Sequence, residues 1–274
     1  MPELPEVETV VRDLRPHLIG KRFAGVQVGP LPLRRRWEAG GEQRLLGRRI
    51  QEVERRGKWI LLTLGKDLHL VFHLGMTGQL TVVPSGEPLL PHTHLVLTLN
   101  RGHQQLRFRD IRRFGSASVF GPRTEVEHFF QEAGLGPEPF HLDPKYWRRR
   151  LAGTHRNLKA ILLDQRVLAG VGNIYADEAL FEARLHPARP GKDLNPEEAD
   201  RLRRAVSTVL RRAIHKRGSS IRNYVGGSGL KGSYQREFRV YGRSGQPCPR
   251  CGRPIQRIRL AGRSTHFCPQ CQPK

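Results

Sequence analysis

Cysteine is missing from the first 247 residues of this 274-residue chain, and all four cysteines fall in the last 27. A disulfide framework spread along the chain is excluded. Acidic side chains are also scarce: 25 Asp and Glu face 48 Lys and Arg, a formal charge of +23. Such an excess calls for a polyanionic partner. No apolar run is long enough to span a bilayer, and no basic amphipathic helix stands beside a lipidation site, so a membrane is the poorer candidate and nucleic acid the better one. The opening MPELPEVETV is acidic and lacks the basic flank and apolar core of an export signal, so the chain is expected in the cytoplasm. Internal repeats are absent too.

The length suffices for two domains, each with a core of its own. Between Lys58 and Phe120 the sequence reads as six short strands, WILLTL, LHLVFHL, QLTVV, HLVLTL, QLRFRD and SASVF, separated by Gly, Pro, Asn and Asp. Their spacing of roughly ten residues predicts an antiparallel sandwich. Ahead of them, Pro5 opens a helix with Val7, Val10, Val11 and Leu14 on one face. Beyond residue 130 the pattern turns helical. Asn195 followed by Pro196, Glu197 and Glu198 starts a helix whose apolar stripe is Ala199, Leu202, Val206, Val209, Leu210 and Ala213. Its opposite face, Arg201, Arg203, Arg204, Arg211 and Arg212, reads as a solvated surface before it reads as a DNA contact. Residues 218 to 236 are rich in Gly and Ser and predict a loop.

The tail carries CPRC at Cys248–Cys251 and CPQC at Cys268–Cys271, sixteen residues apart. Each pair lets two thiolates grip one ion from a tight turn, and two pairs complete a tetrahedral four-sulfur site. Zinc is the preferred reading over two local disulfides, which a reducing compartment disfavours, and over an iron site of the same geometry. With four cysteine ligands no coordination position is open, so one structural zinc ion is expected and no catalytic metal. The stretch between the pairs predicts a β-hairpin, its Arg257, Arg259 and Arg263 either facing phosphates or merely solubilising a small ribbon.

Five separated segments make the chain recognisable: PELPEVET at 2–9, RRGKWILL at 55–62, HLGMTG at 73–78, LLDQRVLAGVGNIYADEALF at 162–181, and VYGRSGQPCPRCG through THFCPQCQ at the end. In this order they resemble the bacterial formamidopyrimidine-DNA glycosylase family, whose superfamily includes endonuclease VIII. The resemblance spans essentially the whole chain. It implies an α+β fold: an N-terminal catalytic β-sandwich with flanking helices (1–130), a helix-two-turn-helix domain with a lesion-covering loop (131–236), and a four-cysteine zinc-finger hairpin (237–274). It also implies base excision repair of oxidised purines in double-stranded DNA, with glycosylase and abasic-site lyase activity, by a monomer.

The chemistry is legible in the residue types. Once Met1 is removed, Pro2 presents a secondary α-amine, and α-amines titrate near 8, far below a lysine at about 10.4. Such an amine can attack the sugar C1′, displace the base and leave an iminium ion that permits strand elimination. By resemblance, Glu3 is the general acid or base at the sugar ring oxygen, Glu6 positions the reacting groups, and Lys58 touches phosphate and assists elimination. Eversion of the target nucleotide needs apolar wedges. Met76, Arg112 and Phe114 match the family's insertion set, Arg112 reading the orphaned cytosine, with Arg113 beside it as a phosphate contact. By the same resemblance, His73, His92, Tyr241 and Arg263 fall on positions that contact the DNA backbone in relatives, and Arg263 is further implied in the second elimination. Asn173, with the helix-start N–H groups of GVGN, is expected to hold a phosphate, and Lys159 another. Leu4, where the pyrimidine-specific branch has glycine, points to oxidised purines. The segment GSSIRNYVGGSGLKG departs from the family's usual GGSTVRTYV and puts the lesion-covering loop apart from the rest.

Overall fold

The computed structural model describes residues 1–100, 102–219 and 232–274. The lesion-covering loop expected within 218–236 therefore lies mostly outside the described residues. The chain groups into two compact units, Met1–Glu132 with Lys216–Ser233, and Ala133–His215 with Tyr234–Lys274. This differs from a linear three-part division for a physical reason. The terminal ribbon is too small to have a core of its own, and its Cys248, Ile255 and Cys268 share a cluster with Phe181 and Val240. The short stretch after residue 215 bonds instead to the first helix of the chain, through Ser219 and Glu6.

In the first unit the opening helix, α1, runs Leu4–Leu18. Glu3 is its N-cap, and Glu3 and Glu6 form a reciprocal capping box that satisfies backbone donors otherwise left bare. Leu4, Val7, Val10, Val11, Leu14 and Leu18 recur at helical spacing, and all are buried. The strands are β1 (Phe23–Val28), β2 (Glu52–Arg56), β3 (Trp59–Thr63), β4 (His69–His73), β5 (Gly78–Pro84), β6 (Thr93–Leu99), β7 (Gln104–Asp110) and β8 (Ser116–Phe120), with short helices α2 (Gly41–Leu45) and α3 (Arg123–Glu132). They form two four-stranded antiparallel sheets, ordered β1-β6-β7-β5 and β2-β3-β4-β8. Both sheets and α1 feed one core, including Val7, Leu14, Ile60, Phe72, Leu97 and Phe108. Burying each such side chain stabilises the fold by roughly 1.5–3 kcal/mol.

All six expected strands are present, and the sequence missed β1 and β2. Both are edge strands that bury a single residue each, Phe23 and Val53, whereas the edge strands β5 and β8 bury two and three and so carry a pattern. β2 reads EVERR and buries only Val53.

The second unit contains α4 (Pro144–Ala152), α5 (Leu158–Leu163), α6 (Asn173–Glu182), α7 (Pro196–His215) and the hairpin β9 (Gln256–Leu260) and β10 (Arg263–Phe267). Asp143 caps α4 and Asn157 caps α5 with side-chain oxygens. Asn195 and Glu198 cap α7 reciprocally, at 2.8 and 3.2 Å. The arginine face of α7 is largely engaged by the protein itself. Arg201 donates to the Ala183 carbonyl, Arg203 lies beside Asp200, Arg212 beside Glu182, and Arg211 lies over the Phe140 ring. In the hairpin turn Ala261 and Gly262 both have positive φ, 49° and 71°. That is the twist-matched two-residue turn, and it delivers Arg263 at the ribbon's tip.

Candidate active site and nucleic-acid interface

The N-terminal dipeptide is pinned, not frayed. Met1 is 53% exposed, but Pro2 behind it is buried, and Glu3 and Glu6 are 3% and 2% exposed. One Glu6 oxygen accepts the Glu3 backbone N–H at 2.9 Å, and the other accepts the Ser219 N–H at 2.7 Å and its hydroxyl at 3.1 Å. Glu6 therefore does more than complement a helix dipole; it ties the residue after Pro2 to the 218–219 segment. Gly218 makes that approach possible, because a Cβ there would stand 2.8 Å from Glu6 Oε1 and its φ is +72°. Lys58 sits in the two-residue turn between β2 and β3, yet it is only 6% exposed. A lysine withdrawn from water at a turn is unlike the solvated lysines usual there.

Met76, Arg112 and Phe114, the residues expected to fill the space of an everted nucleotide, lie on two turns. Gly75 in the 74–77 turn has φ +60°, and a Cβ on it would lie 2.4 Å from the Gly115 nitrogen and 2.5 Å from the Phe114 carbonyl carbon. Backbone meets backbone, so glycine is obligatory there and the two turns stand side by side. Met76 and Phe114 are 37% and 45% exposed, against the rule for large apolar side chains, and the Arg112 guanidinium lies 4.7 Å over the Phe114 ring. An exposed wedge of this kind is an interaction surface in waiting.

The residue that organises both turns, Asp110, escaped the sequence reading. It is fully buried, and its carboxylate accepts the Thr77 hydroxyl at 2.5 Å, the Gly115 N–H at 2.7 Å and the Arg112 N–H at 3.3 Å. Its backbone N–H donates to the His92 carbonyl at 3.0 Å. The bond to the residue two positions on is an Asx turn, a signal that the sequence DIRRFG carried. Arg113 and His92, both expected on DNA, hold left-handed φ values of 56° and 67°. Such strain, of order 1–3 kcal/mol per residue, persists where the surroundings enforce it and clusters at functional positions.

His73 is half-buried, its ring 4.6 Å from Trp59, and its Nδ1 accepts the Gly75 N–H at 3.1 Å. Nε2 therefore carries the ring proton and is the donor left for a phosphate. Burial, reinforced by the Lys58 and Arg34 charges and opposed by Asp110, holds its pKa down at about 4. A ring whose folded pKa lies below the unfolded value of about 6.5 contributes stability that is complete above that pH and is lost as pH falls toward 4. Titration by proton NMR is expected to show the His73 ring neutral at pH 5.5 with a midpoint near 4. A midpoint near 6.5 would show that the ring is not sequestered.

In the second unit the expectation for Lys159 is corrected. Its side chain is 0% exposed and its ammonium donates to Asp177 at 2.5 Å and to the Asn173 carbonyl at 2.8 Å. A buried cation paired in this way is not available to a phosphate, and breaking the pair costs roughly 3–5 kcal/mol. Asn173 begins α6 and donates its side-chain amide to the Ser264 carbonyl at 3.1 Å, which leaves one amide hydrogen for a ligand. Tyr241 is half-buried, its backbone N–H held by Glu178 at 2.9 Å and its ring 5.3 Å from His266. Arg263 is exposed. Asp177 and Glu178, adjacent on α6, are the further organising residues that the sequence did not disclose.

The four cysteine sulfurs lie within 4.8 Å of one another, with Cys248 and Cys271 at 3.8 Å and Cys251 and Cys268 at 3.4 Å. Sulfurs at about 2.3 Å from one tetrahedral ion would be about 3.8 Å apart, so the cage fits zinc. Backbone N–H groups of Arg250 and Cys271 point at Cys248 and Cys268 sulfurs, both at 3.4 Å. Burial and then the neighbouring thiols push Cys271 up to about 12. Four thiolates can share that space only beside a dication. The site holds one structural zinc ion.

The chain matches the family model for the formamidopyrimidine-DNA glycosylase N-terminal domain over residues 1–117, that for the H2TH domain of the same enzyme over 135–225, and a zinc finger found in FPG and IleRS over 245–274. It is 50% identical to formamidopyrimidine-DNA glycosylase of Moorella thermoacetica, covering 94% of this chain and 95% of that one. With the Desulforamulus reducens enzyme of the same name it shares 45% identity over 99% of both. Among solved structures, it is similar to a Lactococcus lactis FPG mutant in complex with Fapy-dG containing DNA, with TM-score 0.93, 36% identity and full coverage of both chains. A complex of the Lactococcus lactis enzyme with abasic-site DNA superposes with TM-score 0.92 at 36% identity, covering 99% of this chain and 100% of that one. This chain belongs to the formamidopyrimidine-DNA glycosylase family.

Proposed function

We propose that the chain excises oxidised purines, 8-oxoguanine and formamidopyrimidines, from duplex DNA and then cuts the strand at the abasic site, with Pro2 as nucleophile. The observation that supports this most directly is the pinned N-terminus, because a nucleophile on a frayed end would lose the advantage of fixed orientation. After removal of Met1, the Pro2 nitrogen attacks C1′ while Glu3 handles the proton at the ring oxygen. The C1′–base bond breaks and the base leaves with its electron pair; the amine gives up its proton, the C1′–O4′ bond opens as Glu3 protonates O4′, and an iminium ion joins Pro2 to the ring-opened sugar. That cation acidifies the neighbouring C2′ protons, and loss of one expels the 3′ phosphate; loss of a proton from C4′ then expels the 5′ phosphate, with Lys58 and Arg263 lying on phosphates and assisting the two eliminations. Met76, Arg112 and Phe114 fill the space left by the everted nucleotide. His73, His92, Arg113, Asn173 and Tyr241 hold the backbone. Zinc takes no part in these steps; it stiffens the hairpin that presents Arg263.

No helix of the described residues is long and apolar enough to cross a membrane. We place the protein in the bacterial cytoplasm, associated with the nucleoid through DNA and acting as a monomer. Borohydride trapping tests the reading. On an 8-oxoguanine:cytosine duplex a covalent adduct is expected at least about tenfold faster than on a thymine glycol duplex, a margin within the reach of differential binding in one pocket. Faster trapping on thymine glycol would assign the chain to oxidised pyrimidines. Absence of any adduct would leave a non-catalytic DNA-binding protein.

A further inference from the structure

Asp177 is fully buried and bonds to two other elements at once. One carboxylate oxygen receives the Lys159 ammonium from α5, and the other receives both the backbone N–H of His266, at 2.9 Å, and its ring Nδ1, at 3.0 Å, on β10 of the ribbon. Lys159 reaches on to the Asn173 carbonyl, and Asn173 returns to the ribbon at the Ser264 carbonyl. The loop is closed: Asp177 fastens the buried ion pair to the hairpin, and the Asn173–Ser264 bond joins the helix start to the same strand. Asn173 begins α6, and Arg263 is the residue before Ser264.

We propose that Asp177 is a positioning residue that locks Asn173 and Arg263 into one anion clamp, so that the two hold neighbouring phosphates cooperatively. The inference rests on the reading of these two residues as phosphate contacts. A carboxylate suits the role because it is acceptor-only, and the Lys159 ammonium, the His266 N–H and the His266 ring all donate to it. Its charge is balanced by Lys159 in the same buried space, which explains why that lysine is withdrawn from the surface. The ring of His266 carries the order outward, lying 5.3 Å from Tyr241, whose backbone is fixed independently by Glu178. A bulky polyanion then meets a preorganised surface and spends little binding energy on ordering it.

A double-mutant cycle on the holoenzyme decides the matter, with affinity read for a duplex carrying a stable abasic analogue. Asn173→Ala and Arg263→Ala are each expected to raise Kd about tenfold, with shallower salt slopes, as for any lost phosphate contact. Failure of both would sink the phosphate reading itself. Together they are expected to raise Kd only about tenfold to thirtyfold, short of the hundredfold product, which is the signature of coupled contacts. In an Asp177→Asn background the two losses should multiply. A general loosening of the fold would raise Kd without altering that coupling. Coupling that survives Asp177→Asn, or a hundredfold loss in the unaltered background, overturns the proposal. If Asp177→Asn loses its zinc or fails to fold, His266→Ala answers instead, since it leaves the Lys159–Asp177 pair and the backbone bond from residue 266 in place and removes only the ring's tie; coupling must weaken there, and unchanged coupling overturns the proposal.

Discussion

A chain that keeps Met1 is expected to form no borohydride adduct and to nick lesion-containing DNA at least about a thousandfold more slowly than the processed chain, because a peptide-bonded proline nitrogen has its electron pair delocalised into the carbonyl. The size of the effect follows from what remains to replace it. An α-amine with pKa near 8 is about one-tenth neutral at pH 7, whereas a lysine near 10.4 is neutral about 200 times less often. Orientation adds more, since well-placed reactants gain effective molarities of about 10⁵ M or higher. Pro2 is buried, and the neighbouring Glu3 nitrogen is held at 2.9 Å by Glu6, so an amine there would have little freedom to reorient. Intact mass separates the two forms, and trapping followed by peptide mapping locates the adduct. An unprocessed chain nicking at full rate would overturn the nucleophile assignment.

Removing zinc should be the second large effect. Structural zinc supplies an apparent 10–16 kcal/mol in small finger peptides, far more than a two-stranded ribbon with a handful of apolar side chains can supply alone. Among the described residues, Cys248, Ile255 and Cys268 of the ribbon enter the shared cluster with Phe181 and Val240, Cys271 packs against it, and of these four ribbon residues three are ligands. Chelation is therefore expected to unfold β9 and β10, release Arg263 and weaken DNA binding about a hundredfold or more. The β-sandwich, whose core shares no residue with that cluster, should keep its near-ultraviolet circular dichroism. Zinc affinity should fall as pH falls, because the ligands must be deprotonated. Undiminished DNA binding after proven metal loss would show that the ribbon is dispensable.

Each of these effects concerns a residue the sequence already marked. PELPEVET placed Pro2, Glu3 and Glu6 on one short stretch, and the CxxC spacing identified the metal and its ligands, because local chemistry of this kind needs few residues at fixed separations. The six strands β3 to β8 were equally plain, since a face packed on the shared core puts apolar residues at regular positions between turn residues. Edge strands β1 and β2 carried no such imprint. Lys159 was misjudged because a lysine pattern cannot distinguish a phosphate contact from half of a buried ion pair; its partner Asp177 lies 18 residues away in sequence. Asp110, likewise, contacts Thr77 from 33 residues off.

What the sequence determined alone is therefore the chemistry: an amine at the start, carboxyls beside it, four sulfurs for one ion, and an excess of positive charge for a polyanion. Tertiary structure decided which charges face outward and which are consumed inside. Asp110, Asp177 and Glu178 are ordinary acidic residues in the chain and become organising centres only when folding removes water from them. A buried carboxylate must collect every donor within reach, and in doing so it fixes the turns that carry Arg112, Phe114, Tyr241 and Arg263.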